Sequence, residues 1–124
     1  MFEVNVEETF AAGHALRGYY GKCENVHGHN YRVRVTLAGQ ALDSTGLLFD
    51  FVALKRVMNE VIKGLDHKFL NDQAPFDQIN PSAENIAKYF HEQLAEKFPP
   101  PSNGARITAI TIWETDVTSA TYRP

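Results

Sequence analysis

The first forty residues alternate between apolar and polar positions, which is typical of strands with one buried face. Apolar side chains recur at every second position of Phe2–Ala12 and again of Tyr31–Leu37. We therefore predict a strand over Phe2–Ala12 and a second over His29–Ala38. The loop at Ala15–Asn25 between them lets the two strands form an antiparallel hairpin.

The middle of the chain changes from alternation to helical spacing. Asp50 is a predicted N-cap, because apolar residues follow at intervals of three and four as far as Gly64, a natural stop. The apolar positions of this first helix are Phe51, Leu54, Val57, Met58, Val61, Ile62 and Leu65. A second helix is predicted after Asn80-Pro81-Ser82 and ends before three consecutive prolines. Its apolar stripe is Ala83, Ile86, Ala87, Phe90, Leu94 and Phe98.

Two further strands are predicted near the end of the sequence, at Arg106–Thr115 and Ser119–Arg123. Leu47–Phe49 is a short apolar segment that could pair at a sheet edge, and no element is predicted for Asp66–Asp72. The order strand, strand, helix, helix, strand, strand predicts an α+β fold, with both helices on one face of a four-stranded antiparallel sheet. We expect residues 1–124 to form a single domain. The open sheet edges favour oligomers in which the sheets close into a barrel.

Composition excludes several classes of partner. Of the 124 residues 44% are hydrophobic and 22% are charged, and the net charge is −3. This balance argues against a nucleic-acid surface, and no segment resembles a membrane span or a signal peptide. The only cysteine, Cys23, excludes an intrachain disulfide and fits a reducing compartment. We therefore expect a cytoplasmic protein.

Three histidines are candidate metal ligands. His27 and His29 flank Gly28 at the entry to the second strand, where residues two apart point to the same face. His14 continues the register of the first strand, and the hairpin would bring it opposite this pair. Three imidazoles with a fourth position open are the arrangement of a catalytic zinc site. The alternative is a closed structural site with Cys23 as the fourth ligand.

Six motifs, in the same order along nearly the whole chain, resemble the family of the 6-pyruvoyltetrahydropterin and 6-carboxytetrahydropterin synthases. They are Thr9-Phe10-Ala11-Ala12-Gly13-His14, Cys23-x-x-x-His27-Gly28-His29-Asn30-Tyr31, Thr45-Gly46 with Asp50-Phe51, Leu65-Asp66-His67-Lys68, Ser82-Ala83-Glu84-Asn85 and Trp113-Glu114-Thr115. The resemblance implies a T-fold, which is an oligomeric barrel around a tunnel, expected to be a hexamer with active sites at subunit interfaces. It also implies Zn²⁺ on the three histidines.

The family's catalytic triad carries over onto Cys23, Asp66 and His67, with the latter two reaching the cysteine of a neighbouring subunit. Cys23 near a cation and a histidine would have a lowered pKa and could act as a base, and Asp66 could orient the His67 imidazole. The alternatives are that Cys23 is a small buried hydrophobic residue and that Asp66-His67 is a pair on a surface loop.

The resemblance places the pterin anchor on Glu114 and on Ser82, Ala83 and Glu84. Glu114 ends an apolar row on its strand, where burial without a partner would be costly, and a pterin edge could donate two parallel N–H bonds to it. The alternative is that Glu114 is exposed at the strand end. The family often has threonine at the position of Ala83, so a backbone contact would have to replace that side chain.

The spacing between Cys23 and His27 resembles the 6-carboxytetrahydropterin synthases of the bacterial queuosine pathway. These convert 7,8-dihydroneopterin triphosphate to 6-carboxytetrahydropterin, acetaldehyde and triphosphate. Glu24 follows Cys23, and a related subgroup uses a glutamate there to make 6-hydroxymethyldihydropterin for folate. The alternatives for the protein are a 6-pyruvoyltetrahydropterin synthase, a bifunctional enzyme that makes both products, and a zinc-stabilised pterin-binding module. The alternative for Glu24 is that it is a surface residue without a catalytic role.

Overall fold

The computed structural model describes residues 1–97 and 99–124, without the side chain of Cys23. The elements in chain order are β1 (Phe2–His14), β2 (His27–Gly39), α1 (Phe51–Lys63), β3 (Lys68–Phe69), α2 (Ala83–Lys97), β4 (Arg106–Thr115) and β5 (Thr118–Tyr122). Short 3₁₀ helices lie at Lys22–Glu24 and Leu70–Asp72. The predicted α+β order is therefore confirmed, and Phe98, assigned to the apolar stripe of α2, lies outside the described residues.

The predicted start and end of α1 are confirmed at atomic detail. The carboxylate of Asp50 accepts a hydrogen bond from the amide of Val52 at 2.9 Å, which satisfies one of the free N–H groups of the first turn. At the other end Gly64 is the C-cap, and its N–H donates to the carbonyl of Val61. The helix buries Leu54, Met58, Val61 and Ile62, which belong to the predicted stripe.

The sheet has the strand order β3-β1-β2-β4-β5, so it contains five strands rather than the predicted four. The additional strand, β3, is two residues long and pairs in parallel with Ala12 and Gly13 of β1. It is too short to show an alternation of its own. His67, with a positive φ of 58°, turns the chain there and donates its backbone N–H to the carbonyl of Ala11. The other neighbouring strands pair antiparallel, as expected.

The core lies between one face of the sheet and the two helices. It contains Val6, Phe10 and Ala12 from β1, the odd-numbered residues Tyr31 to Leu37 of β2, and Ile110 and Ile112 of β4. Both helices supply their apolar stripes to the same cluster. The predicted one-sided helical layer is thus confirmed, and it fixes which strand residues point inward.

Leu47–Phe49 does not pair with the sheet as suggested from its sequence, because it is a bend rather than a strand. Leu48 is instead 4% exposed and covers the end of β2, where any side chain at Gly39 would meet it. No helix in the described ranges has the length and apolar character that a membrane crossing requires.

The opposite face of the sheet is polar. Arg32 and Arg34 of β2 lie over the ring of Trp113, at 4.2 and 4.9 Å from its centroid. Glu7 of β1 accepts from Arg34 at 2.7 Å and lies 3.8 Å from Arg32. The two arginines are therefore paired, partly exposed groups, which is consistent with the absence of a free basic patch in the sequence.

Candidate metal centre and adjoining pockets

The β1–β2 hairpin brings the three histidines together. Its register runs without interruption from Phe2 opposite Gly39 to His14 opposite His27. His14 and His27 approach to 2.9 Å between their Nε2 atoms, and one nitrogen from each of the three rings lies within 4.8 Å of the others. The predicted convergence of His14, His27 and His29 is confirmed, and the three side chains could hold a metal ion.

The Nδ1 hydrogen bonds of His14 and His27 indicate that a cation fits between the Nε2 atoms of the two rings. His14 donates from Nδ1 to the carbonyl of Pro81, and His27 donates from Nδ1 to the carbonyl of Asn25, both at 2.7 Å. In neutral imidazoles each Nε2 is then an acceptor, so the two facing atoms repel each other unless a cation lies between them. Nε2 of His29 is buried and has no hydrogen-bond partner among the described residues. These donor atoms fit a metal ion.

Burial favours the neutral form, which metal binding requires, for two of the three rings. His14 is 1% exposed, and the desolvation of its ring lowers its pKa below the ordinary value of 6.5, although the bond to Pro81 and the charge of Glu114 oppose this. Desolvation also lowers the pKa of His29. At pH 7 both rings therefore carry a lone pair and no positive charge.

The lowered pKa values predict a pH-dependent stability of the metal-free protein. His14 and His29 take up protons more readily in the unfolded chain, so the free energy of unfolding should fall as the pH is lowered from 7 to 5. The decrease should approach at most about 1.4 kcal/mol per pH unit for each ring. Denaturant titrations at several pH values measure it, and His29→Gln should reduce the slope. A flat profile would contradict the burial argument.

Two asparagines fix the segment that follows His14. Asn71 accepts from the N–H of Ala15 at 2.9 Å and donates to its carbonyl at 2.8 Å. Asn80 makes the same pair of bonds with the backbone of Arg17, both at 2.9 Å. Because Asn80 directly precedes Pro81, this clamp also holds the carbonyl that orients His14. Neither asparagine was predicted from the sequence to support the site, because each appears there only as an amide side chain in an irregular segment.

Two cavities meet beside the histidines. The first, of about 240 Å³, is lined by His14, Leu16, Lys22, His27, His29 and Glu114. The second, of about 270 Å³, is lined by Leu16, Ser82, Ala83, Glu84, Glu114 and the first residues of β5. Leu16 and Glu114 border both cavities, so together they form one cleft with a metal end and a polar end. Leu16 and Lys22 were not identified from the sequence.

Glu114 lies at the junction of the two cavities. Its Oε1 is 4.0 Å from Nε2 of His14, and its side chain is 28% exposed. It is therefore a partly buried carboxylate rather than a freely solvated one. Ser82 and Ala83 line the polar end, and the hydroxyl of Ser82 accepts from the N–H of Asn85 at 3.1 Å, so it caps α2. The structure thus brings together the residues predicted to form the pterin anchor.

Asp66 and His67 form a pair in the loop between α1 and β3. Asp66 accepts from the N–H of Ala11 and lies 2.9 Å from Nδ1 of His67. The bond from Ala11 and the contact with His67 lower the pKa of the Asp66 carboxyl. The His67 side chain is 82% exposed and borders a cavity that is also lined by His29, Gly28 and Asn30. The dyad therefore faces outward from its own chain.

Cys23 and Glu24 lie in the 3₁₀ helix just before β2. The side chain of Cys23 lies outside the described residues. The alternative in which Cys23 completes a closed metal site depends on that side chain and therefore also falls outside them. Glu24 is exposed and does not line the cavity at the histidines.

Comparison with known proteins identifies the family. A family model described as 6-pyruvoyl tetrahydropterin synthase matches residues 3–124. The chain belongs to the 6-pyruvoyl tetrahydropterin synthase family. It is also 32% identical to the 6-carboxy-5,6,7,8-tetrahydropterin synthase of Bacillus subtilis strain 168, over 99% of this chain and 86% of that protein. The resemblance predicted from the six motifs is confirmed.

Solved structures of the 6-pyruvoyl tetrahydropterin synthase family confirm the T-fold. The structure of the Caenorhabditis elegans enzyme superimposes with a TM-score of 0.87 at 29% identity, covering 99% of this chain and 95% of that one. A Plasmodium vivax enzyme, in which a catalytic glutamate is replaced by alanine, superimposes with a TM-score of 0.80 at 25% identity, covering 99% and 97%. The chain is thus a pterin synthase homologue with a histidine cluster that could hold a metal.

Proposed function

We propose that this protein is a zinc-dependent 6-carboxytetrahydropterin synthase of queuosine biosynthesis. It would act as a lyase that converts 7,8-dihydroneopterin triphosphate to 6-carboxytetrahydropterin, acetaldehyde and triphosphate. The observation that carries the proposal is the continuous cleft, in which three histidines line one end and Glu114 stands at the junction with the other. The Bacillus subtilis relative bears the name of this activity.

The metal end of the cleft suits the side chain of the substrate. His14, His27 and His29 would hold Zn²⁺, which takes imidazole nitrogen ligands and keeps a position open in catalytic sites. When bound, zinc supplies a Lewis acid that polarises substrate oxygens. The chain's own contribution is to hold the rings of His14 and His27 through Pro81 and Asn25, so that their Nε2 atoms stay directed inward.

The polar end of the cleft suits the pterin ring. The carboxylate of Glu114 can accept two parallel hydrogen bonds from the amino and ring N–H groups of the pterin, which would offset its desolvation. Ser82, Ala83 and Glu84 begin α2 beside it, and their backbone amides would donate to the ring. Leu16 borders both ends and would contact the substrate between ring and side chain.

Proton transfer would require two subunits. Cys23 is the proposed base, and Asp66 would orient His67 to exchange a proton with the cysteine of a neighbouring copy. The outward position of His67 supports this assignment. The sheet edges support an oligomer, proposed to be a hexamer, because β5 is terminal in the sheet and β1 carries β3 only at Ala12 and Gly13. We propose a cytoplasmic location with no nucleic-acid or membrane partner.

A second candidate activity depends on Glu24. The Plasmodium vivax structure assigns a catalytic role to a glutamate of that enzyme, and Glu24 is an exposed carboxylate next to Cys23. With Glu24 as a base the chain would also form 6-hydroxymethyl-7,8-dihydropterin, a folate precursor. The 6-pyruvoyltetrahydropterin synthase reaction, the name borne by the Caenorhabditis elegans structure, is the third candidate. A zinc-stabilised pterin-binding module is the non-enzymatic alternative.

Product analysis tests these alternatives. We expect metal-loaded protein incubated with 7,8-dihydroneopterin triphosphate to release 6-carboxytetrahydropterin and acetaldehyde, identified by mass spectrometry. If Glu24 is a second base, Glu24→Ala removes only the 6-hydroxymethyl product, while the exposed Glu92→Ala control on α2 changes neither product. A 6-pyruvoyl product would replace the main proposal with the third candidate. Pterin binding without conversion would identify a binding module.

A further inference from the structure

Tyr31 is a buried polar residue that the proposed function does not use. It has no exposed surface, and its hydroxyl has no hydrogen-bond partner in the part of the chain that the structure describes. Its ring stacks on Phe10 at 5.0 Å and lies edge-on to His14 and His29, at 5.8 and 5.4 Å between centroids. The Tyr31 ring therefore packs directly against two of the three clustered histidines.

Tyr31 and Glu114 lie close together at the end of the β2–β4 pair. Arg32 pairs with Trp113 there, so Tyr31 and Glu114 are the next residues beyond that pair. Tyr31 belongs to the core with Val33 and Ile112, and Glu114 borders the cleft at His14. A phenol keeps its proton at neutral pH, so the hydroxyl remains a donor.

The Tyr31 hydroxyl has no acceptor among the described residues. A buried O–H in that state would carry the cost of its desolvation and gain no bond in return. Phenylalanine has the same shape and would fill the site without this cost. An acceptor is nonetheless near, because the carboxylate of Glu114 is 28% exposed and has room to turn in a cleft that it borders on both sides.

We propose that Tyr31 is a positioning residue of the pterin pocket. When the pocket is filled, its hydroxyl donates to one oxygen of Glu114 and fixes the plane of the carboxylate for the N–H groups of the ligand. This proposal rests on the proposed function, because it takes a pterin as the ligand of Glu114. A carboxylate has about four acceptor sites, so it can accept from Tyr31 and from the ligand together.

The test combines stability and binding in metal-loaded protein. Tyr31→Phe should raise the melting temperature by about 3–6 °C, because it removes an unpaired O–H. It should also weaken the binding of neopterin, followed by the ligand's fluorescence, by about 5–10-fold. Tyr89→Phe, in a half-buried tyrosine of α2 that contacts Phe76, is the matched control and should leave neopterin affinity unchanged.

A double-mutant cycle identifies the route through Glu114. In the Glu114→Ala background Tyr31→Phe should change neopterin affinity less than about twofold, because the acceptor that it positions has been removed. Equal losses in both backgrounds would overturn the proposal, as would unchanged neopterin affinity in Tyr31→Phe while the wild type binds. Failure of the wild type to bind neopterin would instead count against the pterin function itself, and against this proposal with it.

Discussion

Replacing His27 with alanine is expected to remove the metal and the activity while leaving the fold intact. His27 supplies one of three ring nitrogens that lie within 4.8 Å of each other. Loss of an outer-shell partner alone costs about 10–100-fold in metal affinity, so loss of a ligand should cost more than about 100-fold. Metal content after dialysis and product formation from 7,8-dihydroneopterin triphosphate measure the two losses.

The fold should survive because the cluster lies at the end of the hairpin and outside the main core. His27 is only half-buried, whereas the core between sheet and helices is supplied by fully buried residues such as Val33, Leu54 and Ile110. We expect the free energy of unfolding of metal-free His27→Ala to differ by less than about 1 kcal/mol from that of metal-free wild type.

His91→Ala is the matched control for the loss of an imidazole. His91 lies on α2, where its ring contacts Tyr122, and it is not part of the cluster. Chelation of the wild type should likewise give a folded and inactive protein, since a catalytic site does not carry the folding energy. Unfolding of the chelated protein would indicate a structural metal, and metal content unchanged in His27→Ala would contradict the ligand assignment.

The histidine cluster was predictable because it depends on local periodicity. Alternation set the faces of both strands, and a hairpin in that register must bring His14 near His27 and His29. The position of Glu114 followed from the same rule, since it shares a face with Ile110 and Ile112. Both predictions require only that side chains alternate between the two faces along each strand.

The contacts that hold the site were not predictable from pattern. Asn71 and Asn80 bond to backbone 56 and 63 residues away in the sequence, and no periodicity links such positions. The parallel strand β3 depends on the positive φ of His67, a conformation that histidine adopts only in a particular setting. The Tyr31 hydroxyl, which has no partner within the described ranges, could not be recognised either, because in the sequence Tyr31 is only an apolar strand position.

The second large effect concerns Cys23 and His67, the residues proposed to transfer protons. Cys23→Ala and His67→Ala should each lower the rate of product formation by about 10²–10⁴-fold, the usual contribution of general acid–base catalysis.

A mixing experiment tests whether the two residues come from different subunits. The two inactive variants are mixed in equal amounts, dissociated and reassembled. They should regain about one quarter of wild-type activity, because random neighbours in a closed oligomer pair an intact cysteine with an intact histidine at that frequency.

The expectation of rescue follows from where His67 lies. Its side chain is 82% exposed and contacts Asp66, and it borders a cavity that His29 also lines. If an outward-facing residue of this kind acts across a subunit boundary, as proposed, complementation restores intact sites. Two variants of the same residue, Cys23→Ala mixed with Cys23→Ser, provide the control and should regain nothing. If the Cys23→Ala and His67→Ala mixture also stays inactive after reassembly to the native size, the two residues act within one chain, and the proposed two-subunit site is wrong.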